Sequence, residues 1–197
     1  MPATSLTSDT KYVLTARDNV IFNGPVAFGT KGGDAAKFVS VQAGGAITGA
    51  AANSISTEGG ALTLTANIIN IQAGIDTKGG TLMINNTGAS ELSGVLGGHG
   101  SGLVKLGGGL LTLSGANTFT GQTRVSDGVL RVTKSDGLHA TSSLWVSDTG
   151  TFEIDGVALN ALASLTLDGG LAGRETLAGR GAASYSGLVT MIRHAME

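Results

Sequence analysis

Gly59-Gly60-Ala61-Leu62-Thr63-Leu64 is followed, twenty residues on, by Gly79-Gly80-Thr81-Leu82-Met83-Ile84, and the two stretches state one pattern. A glycine pair leads into a run that is apolar at every second position. Strand side chains point to opposite faces in turn, so such a run puts one face inward. Leu62 and Leu64 are expected to point in together and Thr63 to point out. The glycines supply corners, where positive φ costs them little.

The unit recurs along the chain. Gly44-Gly45-Ala46-Ile47-Thr48 is a weaker early copy. Gly108-Gly109-Leu110-Leu111-Thr112-Leu113 begins 29 residues after Gly79. Gly128-Val129-Leu130-Arg131-Val132 and Gly150-Thr151-Phe152-Glu153-Ile154 follow. Further short strands are expected over residues 66–72, 124–125 and 143–147. A repeat of roughly 20 residues holding two or three short strands is one rung of a parallel β-helix. One rung cannot bury its inner face alone. Stacking rungs about 4.8 Å apart pairs each backbone with the next and aligns Leu62 and Leu82 in a column. The chain has room for roughly eight or nine such rungs in a three-sided, all-β solenoid.

Composition agrees. Of 197 residues, 41% are hydrophobic and 13% charged, too apolar a balance for a disordered chain. The 33 glycines follow no Gly-X-Y period, which excludes collagen. Aromatics are only 4%, so the core must be built from Val, Ile, Leu, Ala and Thr. Net charge is −2 with no basic block, which leaves nucleic-acid binding unsupported. The lack of cysteine excludes disulfides and thiolate metal sites. No apolar run is long enough for a transmembrane helix. Met1-Pro2-Ala3-Thr4-Ser5 lacks the basic start and apolar centre of a signal peptide. Helical patterns are scarce. Residues 159–167 suit a helical turn or a strand, and 188–197 suit a short helix or a disordered tail.

Residues 93–132 carry a sharper signal. Gly102-Leu103-Val104-Lys105 is followed by Gly109-Leu110-Leu111-Thr112-Leu113-Ser114-Gly115, then Asn117-Thr118-Phe119-Thr120-Gly121, then Gly128-Val129-Leu130-Arg131-Val132. This series closely resembles the autotransporter-associated β-strand repeat, also called the passenger-associated transport repeat, over roughly a fifth of the chain. The resemblance implies a right-handed parallel β-helix, the passenger of a type V secreted surface protein of a Gram-negative bacterium. It also implies an outer-membrane barrel as partner, a part in passenger export, and no catalytic residues. A barrel would need many tilted strands of about ten residues, which this chain lacks, so it reads as a piece of a larger protein. One continuous solenoid is expected, with N-terminal rungs at 1–92, the repeat at 93–132, and further rungs and a tail at 133–197.

Other groupings invite chemistry. Gly97-Gly98-His99-Gly100-Ser101-Gly102 suggests a phosphate loop, but a strand pattern follows it where a helix N-terminus is required, so it reads as a corner. Glu153 and Asp155 share a strand face, as the acids of polysaccharide-cleaving β-helices do. Yet Asp155-Gly156, Asp127-Gly128 and Asp168-Gly169 all read as turns. His99, His139 and His194 lack metal-ligand spacing, and the calcium nonapeptide Gly-Gly-x-Gly-x-Asp is absent. Arg193-His194 echoes the start of histidine phosphatases but has no domain after it. Trp145 and Phe152 are expected in the core or stacked between rungs. The stretches 1–9 and beyond 187 are expected to cap the solenoid ends.

The expectation is therefore a structural solenoid assisting export and display, with no catalytic, cofactor or metal site. An adhesin contacting glycans, host surfaces or other cells is the alternative. A polysaccharide-cleaving enzyme is a third reading, resting on Glu153 and Asp155 alone. The expected location is the cell surface, associated with the outer membrane or secreted.

Overall fold

A computed structural model describes residues 4–7, 11–29, 38–140, 142–159, 162–168 and 175–192. Among these the chain is all strand, turn and loop, with no helix. Strand Thr4–Thr7 opens one face, Lys11–Ala16 a second and Val20–Phe22 a third. Strand Val26–Gly29 then returns to lie parallel beside Thr4–Thr7, and the winding repeats. The three faces become parallel sheets of five, nine and eight strands, and a separate two-stranded sheet pairs Ala158–Leu159 with Ser184–Tyr185. The protein is a parallel β-helix.

Register carries the core. On the second face Val39, Leu62, Leu82, Leu103, Thr123, Leu144 and Leu165 stand opposite one another on successive coils. Two positions along, Val41, Leu64, Ile84, Lys105, Val125, Val146 and Leu167 make a parallel column. On the third face Leu111, Leu130 and Phe152 align, as do Leu113, Val132 and Ile154. All of these side chains are buried, while Thr63 between Leu62 and Leu64 is part-exposed. Inward apolar columns exclude water from the middle of the coil, and the ladders satisfy the backbone around it.

The repeat unit read from the sequence occupies two different faces. The copies at 59–64 and 79–84 run into the second face, whereas those beginning at Gly44, Gly108, Gly128 and Gly150 run into the third. The 29-residue step from Gly79 to Gly108 is therefore one coil plus a change of face. Both faces are entered through a glycine corner, so a one-dimensional pattern cannot separate them.

Glycine is required where corners stack closely. A Cβ at Gly115 would lie 2.2 Å from the Gly94 carbonyl oxygen of the preceding coil. Gly128 has φ +67°, with Gly107 and Gly109 carbonyl oxygens each 2.5 Å from where its Cβ would stand. A side chain at either corner would force the coils apart.

Two further expectations are corrected, and one left open is decided. Trp145 lies on the outer side of the second face, half-buried, in register with Arg124 and Thr166, because its neighbours Leu144 and Val146 take the inward positions. Phe152 is inward and fully buried, as expected. Within 159–167 the described residues include strand Ser164–Asp168, paired with Ser143–Ser147, and no helical turn. Strand Val189–Ile192 continues the second face, so this part of the tail is neither helix nor disordered. The remaining tail, including His194 and the Arg193-His194 pair, lies outside the described residues. Of the expected N-terminal cap, only Thr4–Thr7 is described, as a strand on the first face.

Candidate functional site

The repeat at 102–132 buries a lysine and an asparagine, Lys105 and Asn117, inside the solenoid. Lys105 follows Leu103 by two positions on strand Gly102–Leu106, so the pleat turns it inward, directly between Ile84 and Val125. Its side chain is fully buried. An ammonium has three protons, and Lys105 Nζ finds three acceptors. They are the carbonyls of Leu106 at 2.8 Å, Gly107 at 2.5 Å and, on the next coil, Asp127 at 3.2 Å. Burial pulls the ammonium down to about 8, against the Asp127 carboxylate, which favours the charged form.

Asn117 performs the matching task on the first face. That face loses its strand after Leu96–Gly97. Where the next strand would have stood, Asn117 Oδ1 accepts from Leu96 N at 2.9 Å and its Nδ2 donates to the Gly137 carbonyl at 2.8 Å. One buried amide therefore links three successive coils. Thr118 N and Phe119 N both donate to Leu96 O, at 2.9 and 3.2 Å. The Phe119 ring is buried, and its carbonyl accepts from Ser142 Oγ at 3.1 Å.

Asn86 lies one coil earlier, on strand Thr81–Asn86, and is completely buried. Its Nδ2 donates to Gly88 O at 2.7 Å and, across to the next coil, to Leu110 O at 2.8 Å. A corner ladder completes the set: Thr57 Oγ1 donates to Thr77 O at 3.2 Å, and Thr77 Oγ1 to Ser101 Oγ at 2.8 Å.

The residues singled out for chemistry are placed as follows. Gly98 and Gly100 have φ of +101° and +79°, and Ser101 N donates to Gly98 O at 3.1 Å, so 97–102 is a corner that feeds a strand. His99 is exposed, with Nδ1 3.3 Å from Thr120 Oγ1. His139 is half-buried at a turn, its carbonyl accepting from Ser142 N at 2.8 Å. No group of three or more His, Cys, Asp or Glu gathers among the described residues. Asp127-Gly128 and Asp155-Gly156 are turns with φ of +67° and +70° at the glycines, whereas Gly169 lies outside the described residues.

Glu153 and Asp155 do share the outer side of the third face, but arginines hold them. Arg131 Nε is 3.1 Å from Glu153 Oε2 and 3.7 Å from Asp155 Oδ2, and Arg180 Nε is 3.1 Å from Glu153 Oε1. The arrangement is an ion-pair ladder across three coils. A cavity of about 450 Å³ opens at the first described coils, lined largely by apolar side chains such as Tyr12, Phe22 and Val39. Among the described residues no helix is long and apolar enough to cross a membrane, which says nothing of β-barrels.

Lys105, Asn86 and the close approach of adjacent corners were not identified from the sequence as structural determinants, although the glycines were read as corners. The signal for the first two was parity: Lys105 lies two residues from Leu103, and Asn86 two from Ile84.

Comparison with known proteins bears on the same region. Residues 103–132 match the Passenger-associated-transport-repeat family. The chain is 35% identical over 102 residues to the probable autotransporter YfaL of Escherichia coli (strain K12), a match covering 50% of this chain and 8% of that protein. It is 36% identical over 98 residues to the adhesin BmaC autotransporter of Brucella suis biovar 1 (strain 1330), covering 50% of this chain and 2% of that protein. The matched part is thus a small fraction of either relative's length. No solved structure matches the chain significantly. The fold and the comparisons agree in this: the chain is a parallel β-helix that carries a passenger-associated transport repeat at residues 103–132 and is similar, over half its length, to two autotransporters.

Proposed function

We propose that the chain is a structural stretch of solenoid in a type V secreted surface protein of a Gram-negative bacterium, supporting export, folding and display. One observation carries the reading: Lys105, Asn117 and Phe119 of the matched repeat are spent on internal contacts. Such residues serve the stacking of coils rather than a ligand. Folding would be sequential, each completed coil offering its edge N–H and C=O groups to the next. The repeat would stabilise early coils, and the partner in export would be the outer-membrane barrel of the whole protein. On this reading the segment has no enzymatic role and needs no cofactor, and its place is the cell surface or the medium.

The test places residues 1–197 between a secretory signal peptide and an autotransporter barrel in an outer membrane. Surface display is read by antibody binding and protease cleavage on intact cells. The full segment is expected to be displayed, and a version lacking 103–132 to be displayed several-fold less. Equal display of the two would overturn the export role.

An adhesive reading has one specific support, the word adhesin in the name of the Brucella relative. Here the outward Thr, Ser and Asn side chains of the faces would contact glycans or a host surface. Saturable binding of the folded chain to a glycan array favours it, and a flat array counts against it.

A further inference from the structure

The inner columns of this solenoid are degenerate. Leu62 and Leu64, Leu82 and Ile84, Leu144 and Val146, Leu165 and Leu167 each put two similar apolar residues inward on one strand. A slip of one residue would turn every side chain to the wrong side, so the pattern forbids it. A slip of two keeps the alternation and most of the apolar burial. Hydrophobic burial alone therefore does not fix which residue of a coil lies against which of the next.

Three buried polar side chains break that degeneracy, each through a bond to a neighbouring coil. Asn86 reaches Leu110 O, Lys105 reaches Asp127 O, and Asn117 holds Leu96 N on one side and Gly137 O on the other. In a coil displaced by two residues these partners move by about 6.6 Å, beyond hydrogen-bond reach. Asn117 would then lose both partners, Asn86 would keep only Gly88 O, and Lys105 only Leu106 O and Gly107 O, and each missing bond is costly in a low-dielectric interior. We propose that Asn86, Lys105 and Asn117 form a register pin, fixing the alignment of the coils around the passenger-associated repeat where the apolar columns leave it open. The pin concerns alignment within the chain and stands whether or not the chain is exported.

The protein contains no cysteine, so introduced pairs report cleanly. Val104 and Arg124 are register partners on adjacent strands, and both lie outside the core. Parallel neighbours in register are close enough for a disulfide, whereas a pair offset by two residues stands about 8 Å apart, beyond disulfide reach. The experiment compares V104C/R124C with L106C/R124C, each refolded from urea in a glutathione buffer. Each pair is made in the otherwise native chain and with Lys105→Met and Asn117→Leu added. In the native chain only the 104–124 pair is expected to close. With both polar residues replaced, folding should persist by circular dichroism and the 106–124 disulfide should rise at least several-fold. Unchanged closure of the native pair alone would show that apolar packing already sets the register, and the proposal fails. It fails equally if the replaced chain does not fold, because the two residues would then be supplying stability rather than alignment.

Discussion

Arg131 Nε and Glu153 Oε2 lie 3.1 Å apart on adjacent coils, and Arg180 Nε holds the other oxygen of the same carboxylate from the coil beyond. The Glu153 side chain is only 11% exposed, so water does little to screen it. Removing it as Glu153→Ala leaves two guanidiniums facing each other with only Asp155 near. The expected loss is about 1–3 kcal/mol, between the values for exposed and fully buried pairs. Asp155→Ala, at a more exposed carboxylate, is expected to cost about 1 kcal/mol or less. Urea titration at constant slope measures both.

Lys105 predicts a pH dependence of a particular sign. Burial lowers its folded value to about 8 from the ordinary lysine value of 10.5. Between these values the unfolded chain binds the extra proton, so this group makes stability rise as pH rises from about 8 towards 10.5. Below pH 8 both states are protonated and the contribution is flat. The Tyr12 hydroxyl, which donates to Gly29 O at 2.6 Å, and the Lys78–Glu58 pair act in the opposite sense at the alkaline end, since both groups are raised. The measurement is therefore the difference in urea midpoint between the native chain and Lys105→Met. That difference should move in favour of the native chain across pH 8–10, and a flat difference would contradict the burial of the ammonium.

Gly128 and Gly156 separate backbone strain from crowding. Both have positive φ, +67° and +70°, but a Cβ at Gly128 meets two carbonyl oxygens at 2.5 Å, while none lies within 4 Å at Gly156. Gly156→Ala should cost only the left-handed penalty of about 1–2 kcal/mol. Gly128→Ala should cost clearly more, because the corners of adjacent coils must part. Thermal melting of the two variants side by side checks the ordering.

Trp145 is the sole tryptophan, which makes its outward position measurable. Its fluorescence should be quenched readily by acrylamide in the folded protein. Emission as protected as that of a buried indole would place the ring inside and invert the strand. Trp145→Thr should change stability by about 1 kcal/mol or less, as for other part-exposed positions.

Leu111 and Leu113 both have no exposed surface on the third face. Replacing both with Asp would bury two carboxylates without partners, at several kcal/mol each. The chain is expected to lose its cooperative melt. An unchanged melt would remove these residues from the core.

Much of this architecture was legible in the sequence because strand alternation is a local rule. Leu62-Thr63-Leu64 gives its inward and outward residues by parity, and Asn117-Thr118-Phe119 belongs to an ordered series specific enough to indicate the repeat. Face assignment was not legible, since Gly80 and Gly109 open different faces with the same local chemistry. Trp145 was misplaced because a chain with so few aromatics was expected to use them in its core, although its position between Leu144 and Val146 already turned it outward. The hold of Arg131 and Arg180 on Glu153 joins coils 22 and 27 residues away, a relationship set by coil length rather than by any local motif.

The end of the first-face sheet at Leu96–Gly97 also has a mechanical meaning. Up to that point three ladders join neighbouring coils. From there to strand Ser143–Ser147 two continue among the described residues, supplemented by individual bonds such as those of Asn117. A rod laced this way is not uniformly strong along its length. Tension between its ends is the same through every coil, so where fewer linkages run in parallel each one carries more of it, and those coils are expected to part first. The plan of hydrogen bonds thus writes into the molecule an order of rupture as well as an order of assembly.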